Sequence, residues 1–186
     1  MTVPEMYNAL DNVDASKQKR MEMSTLVLNH PENIAPLIEI GFHIDDPISC
    51  KACLVLEFIV AQRLELLLPY LDKFIKNMAR VHLDSAVRPI AKICEYLTHS
   101  YFINKDHATI EALNEGHLTQ LTTTCFDWLI GDQKVAAKAY SMTSLLLLGK
   151  KFPWIWPELK LILEQNYHTG SAAYQARARI TIAKLG

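Results

Sequence analysis

Residues 84–101, DSAVRPIAKICEYLTHSY, place an acidic turn residue, a small polar residue and a basic residue ahead of an apolar run. Val87, Ile90, Ala91, Cys94, Leu97 and Tyr101 follow the three-and-four spacing of one buried helix face. Arg88, Lys92, Glu95 and His99 share that spacing on another face. The order recurs: Arg20, Lys51, Arg88, Lys138 and Arg177 each stand near the start of an apolar helical run. Asp14, Asp45 and Asp132 each lie six residues before one of these bases, Ser171 lies six before Arg177, and Asp84 lies four before Arg88. A sequence punctuated in this way folds as a series of helices. No stretch alternates polar and apolar residues as a half-buried strand does.

The periodicity predicts helices over residues 4–10, 16–28, 32–44, 48–62, 63–81, 84–101, 112–129, 134–148, 157–167 and 171–185. Asp14 or Ser16 caps the second. The fourth is apolar almost all round, broken only by Lys51, Glu57 and Gln62, so it should lie between neighbours. Pro69 falls inside the fifth. Residues 104–108 read as the longest loop, and Gly149 as the signal that closes the eighth helix. With 186 residues, half of them hydrophobic and 21% charged, the chain is expected to form one folded domain over residues 1–186.

The net charge of −1 carries no global nucleic-acid signal. Its distribution is uneven. Residues 1–60 hold 4 basic and 9 acidic residues, residues 61–133 hold 7 and 9, and residues 134–186 hold 8 and 2. The first reading of this gradient is a solvated acidic end and a solvated basic end. The second is a basic C-terminal surface for an anion. The N-terminus has no basic and apolar leader pattern, and no apolar run approaches the ~20 residues that cross a bilayer. A cytoplasmic chain with no membrane partner is expected. Cys50, Cys53, Cys94 and Cys125 all fall in apolar helical context. Cys50-x-x-Cys53 lacks the second pair a zinc site needs, so reduced core thiols are expected.

Pro36, Pro69 and Pro157 each sit among apolar residues in the helix that precedes a basic-led one. Together with Asp46-Pro47 and Val87-Arg88, this pattern resembles the HEAT/armadillo family of helical repeats. The resemblance implies a right-handed α-α superhelix of about five helix pairs, linked by a ladder of acidic and basic side chains. The wider spacing between Arg88 and Lys138 then implies an insertion near Asn104. The runs VRPIAKICEYL and VAAKAYSM resemble a family of short helical chains that carries the label adenylosuccinate lyase. The long lyases of that superfamily carry a Ser-rich loop with Met-Pro, Lys and Asn-Pro, which has no counterpart here.

These observations favour a non-enzymatic helical-repeat module that binds a protein or peptide on its concave face. Candidate ligand-binding residues are Lys51, Glu57, Arg88, Lys92, Glu95, Lys138 and Arg177, with Arg and Lys as donors and the carboxylates as acceptors. Their first reading is nonetheless structural, as inter-repeat ion pairs. Glu57 and Lys138 are each nearly the lone charge of an apolar helix, so each should have a partner. The alternative is nucleic-acid or phosphate-ligand binding through the basic C-terminal third. Enzymatic alternatives are the lyase and, by analogy with HEAT-like glycosylases, a DNA-glycosylase-like site near Asp127 and Trp128. His82, His99, His117 and His168 are too scattered for a metal site, and no cofactor or metal is expected. Phe152, Trp154 and Trp156 cluster ahead of the ninth helix. Core packing is their first reading and an aromatic anchor for a partner the second.

Overall fold

The computed structural model describes residues 1–13 and 16–186, and every regular element among them is helical. Eleven α-helices follow one another: α1 (Val3–Asp11), α2 (Lys17–Asn29), α3 (Ile34–Gly41), α4 (Ile48–Gln62), α5 (Leu71–Met78), α6 (Asp84–His99), α7 (His107–Ala112), α8 (Glu115–Ile130), α9 (Val135–Leu148), α10 (Ile155–Asn166) and α11 (Ala172–Leu185). The chain divides into two compact units, Met1–Tyr96 and Leu97–Gly186.

In the first unit α4 is the centre. It packs against α2 and α3, and α1 packs against α3 and α4. Ala52, Cys53, Val55, Leu56 and Ile59 are all buried, as the apolar circumference of this helix requires. In the second unit α9 holds the same position, against α8, α10 and α11, with Met142, Leu145 and Leu148 fully buried. Four consecutive pairs pack together, α3 with α4, α8 with α9, α9 with α10 and α10 with α11. Alternate helices also touch, α2 with α4 and α9 with α11.

Local chemistry sets the helix limits. Ser16 accepts the Lys19 N–H at 3.2 Å and caps α2; Asp14 lies outside the described residues. The expected continuous helix over residues 63–81 does not form. Two short 3-10 turns, Leu64–Leu66 and Leu68–Tyr70, lead into α5, which begins only at Leu71. Pro69 has no N–H to give an α-helical ladder, so it opens a tight turn instead. Residues 32–44 divide likewise into a 3-10 turn, Pro31–Asn33, and the shorter α3.

α6 ends in a π-helical turn, Ser100–Asn104, closed by Lys105 at φ 54. The expected loop over residues 104–108 gives way at His107 to α7. Asp106 caps it through the Thr109 N–H at 2.9 Å and also accepts from the Thr109 hydroxyl at 2.7 Å. These two bonds hold the Asp106 carboxyl below its usual range. Gly149 closes α9 at φ −59, an ordinary helical value. What the position requires is space, because a Cβ there would meet Trp156 Nε1 at 2.0 Å.

Candidate functional site

Five of the seven candidate residues lie in the first unit, where most of their charge is spent on neighbouring side chains. Arg88 of α6 reaches back to Glu57 of α4 with two bonds, Nη2–Oε2 at 2.6 Å and Nη1–Oε1 at 3.3 Å. The Glu57 side chain is 13% exposed and the Arg88 side chain 34%, so the pair is partly desolvated. Lys92 pairs with Glu95 one turn along α6, and its ammonium stands 4.9 Å from the Tyr96 ring centroid. Lys51 donates to the Asp11 carbonyl at 2.8 Å, with the Asp11 carboxylate at 3.7 Å. Asp45, six residues before Lys51 in the sequence, lies 3.5 Å from His82.

The remaining two, Lys138 and Arg177, lie in the second unit. Arg177 of α11 donates to the Thr143 hydroxyl of α9 at 3.4 Å. Both Arg88 and Arg177 thus tie a helix to the one two positions earlier. Lys138 is different. It is half-buried on α9 and has no carboxylate or other side-chain partner among the described residues. It lines a cavity of about 440 Å³ together with Lys134, Ser171 and Tyr174.

A second concavity of about 300 Å³ forms between α8 and the segment before α10, lined by Phe126, Asp127, Phe152, Trp154 and three threonines. The Phe126 and Trp154 rings stack with centroids 5.9 Å apart and planes inclined by 18°. Trp154 is 56% exposed, so the aromatic cluster is not the core packing that composition favours. Trp128, beside Asp127 in the sequence, is buried and does not reach this concavity. Trp156 donates its indole N–H to the Leu146 carbonyl at 3.0 Å.

The thiols are chemically quiet. Cys53 donates to the Gly41 carbonyl at 3.3 Å, and burial holds its thiol far above the ordinary range. Burial pushes the Cys125 thiol up to about 12. All four cysteines are free, and among the described residues no cluster of three His, Cys, Asp or Glu side chains could hold a metal. No helix among those residues is long and apolar enough to cross a membrane. Comparison with known protein families, curated proteins and solved structures finds no match to this chain.

Sequence reasoning named Lys138 from its isolation in an apolar helix. It missed Phe126 and Tyr174, whose roles depend on which helices meet. The one local signal for Tyr174 is Gly170, four residues earlier at the same helix entry.

Proposed function

We propose that this chain is a non-enzymatic helical-repeat module that binds a protein or peptide partner, with its helix pairs stacked as HEAT-like repeats in a right-handed superhelix. The pairing of α3 with α4, α8 with α9 and α10 with α11 supports the repeat reading, as do the α2–α4 and α9–α11 contacts. The arginine tie from each of α6 and α11 to an earlier helix supports it further. The acid–base pairs Arg88–Glu57 and Lys92–Glu95 neutralise each other, which favours binding over turnover.

The observation that carries the binding reading is the concavity at Phe126, Phe152 and Trp154. A large aromatic ring left 56% exposed beside a second stacked ring is an unfilled recognition surface. The exposed Asp127 carboxylate lies among its walls. Aromatic faces beside a carboxylate attract a Lys or Arg side chain through cation–π contact and charge together. The partner is therefore a basic segment of a protein or peptide, met in the reducing cytoplasm where four free thiols persist.

A tri-arginine peptide titrated against the intact chain should quench Trp154 fluorescence saturably. Trp154→Ala and Phe126→Ala should abolish that response without unfolding the chain. An equal response to a tri-glutamate peptide, or a response that persists in Trp154→Ala, overturns the reading.

A further inference from the structure

On the reading that its partner is a basic protein segment, we infer that the aromatic concavity of the second unit receives a methylated lysine side chain. Its walls come from two segments of that unit. Three threonines and Phe126 follow the three-and-four spacing of one face of α8, with Asp127 next to them. Phe152 and Trp154, from the connector between α9 and α10, complete the lining.

The aromatic wall is fixed before any ligand arrives. The Phe152 N–H donates to the Leu148 carbonyl at 3.0 Å and the Ile155 N–H to the Phe152 carbonyl at 3.0 Å. Lys151 of the connector pairs with Glu115 of α8 at 3.2 Å. Binding then needs little ordering of the wall, which favours affinity. At a centroid separation of 5.9 Å the Phe126–Trp154 stack is offset, so part of each ring face stays uncovered.

The polar side chains of α8 accept and do not donate. The Thr119 hydroxyl gives its hydrogen to the Glu115 carbonyl at 2.9 Å, Thr122 to Leu118 at 2.9 Å and Thr123 to Thr119 at 3.2 Å. The Asp127 carboxylate is exposed and has no cationic partner among the described residues, while Lys151 is spent on Glu115. The concavity thus carries one uncompensated negative charge among rings, which selects for a cation.

The same features separate one cation from another. An unmodified ammonium is strongly hydrated and brings three N–H groups, and a guanidinium brings five. Against aromatic faces most of these lose water without gaining an acceptor, because the lining offers a single carboxylate. Methylation keeps the charge and removes the N–H groups. The methyl groups then pack on the rings, and the charge is held by the ring faces and Asp127 together, as in aromatic cages for quaternary ammonium groups. At about 300 Å³ the concavity lies at the lower edge of the small-molecule range of roughly 300–1,000 Å³, which suits one side-chain head. Trp154 is 56% exposed, so a free amine would leave much of the ring bare, whereas the aliphatic stem and backbone of a peptide cover it.

The probes are capped Gly-Ala-Xaa-Ala-Gly peptides in which Xaa is lysine, trimethyllysine or the neutral tert-butyl isostere of trimethyllysine. Each is titrated into the intact chain by calorimetry. The trimethyl peptide should bind saturably and roughly five- to thirty-fold more tightly than the lysine peptide, the span of a partly to fully desolvated cation–π contact. The isostere and free choline should each bind about five-fold more weakly than the trimethyl peptide, or worse. Trp154→Ala should erase the preference for trimethyllysine over lysine, and Asp127→Asn should weaken the trimethyl peptide several-fold. Both positions are exposed, so the thermal midpoints should stay at the parent value. Recognition of the methyl groups is overturned if the lysine and trimethyllysine peptides bind alike, or if the isostere or choline matches the trimethyl peptide. A tri-arginine peptide that saturates the site while methylation gains nothing overturns this inference and leaves the basic partner standing. If no cationic peptide saturates it, the basic partner falls as well.

Discussion

At the scale of single residues, the chain shows which charges hold it together and which are left over. Glu57 is the more buried member of its pair, so removing Arg88 strands a carboxylate, whereas removing the carboxylate leaves a guanidinium that reaches solvent. Arg88→Ala should therefore cost about 2 kcal/mol, between the values for exposed and fully buried pairs, and Glu57→Gln should cost less. The double variant Glu57→Gln/Arg88→Met should recover most of the loss, as read from urea unfolding. The buried thiols predict an alkaline limit. In the folded chain Cys53 and Cys125 stay protonated up to about pH 12, while the unfolded chain releases those protons near the ordinary value of 9.0. The unfolded state then binds fewer protons, so stability is whole below pH 9 and falls as pH rises toward 12. The fall is about 1.4 kcal/mol per pH unit for each thiol. Urea melts above and below pH 9 should show a shallower slope for Cys53→Ala/Cys125→Ala than for the parent chain. Lys138 was legible in the sequence because a lone cation in an apolar helix needs a partner. Tyr174 was not, because nothing local says that a phenol will end up without one.

At the scale of elements, periodicity recovered helices wherever packing agreed with it. The bounds of α4, Ile48–Gln62, match those the pattern predicts, because Pro47 fixes the start and the apolar run defines the rest. The pattern misled where a single residue overrides many. Pro69 sits in an apolar run that reads as helix, yet its missing N–H divides that run into turns. Only residues 107–108 of α7 fall in the stretch that reads as loop; a helix of six residues leaves little periodicity to read, and Asp106 is its one signal. Gly149 shows a subtler failure: its place after α9 was anticipated, but the reason for it lies across the turn, on α10. Gly149→Ala would drive a methyl group into the Trp156 ring and break the indole bond to Leu146. The expected loss is about 1–2 kcal/mol by thermal or urea unfolding, since the partly exposed ring has room to move. The same substitution made in a Trp156→Ala background should cost far less.

At the scale of the whole molecule, each unit is built around one helix that others enclose, α4 in the first and α9 in the second. The enclosed place of α4 was readable from its apolar circumference, whereas the two concavities of the second unit depend on which helix ends converge there. The charge gradient acquires a location too: the cationic end of the sequence contains the cavity that Lys134 and Lys138 line. The placement of the tryptophans has a practical consequence. All three indoles, at 128, 154 and 156, belong to the unit Leu97–Gly186, and the unit Met1–Tyr96 has none. Tryptophan emission, excited selectively, therefore reports on only half the polypeptide, while far-ultraviolet dichroism senses every helix. Melting curves followed by the two signals would superimpose only if both halves come apart in one step.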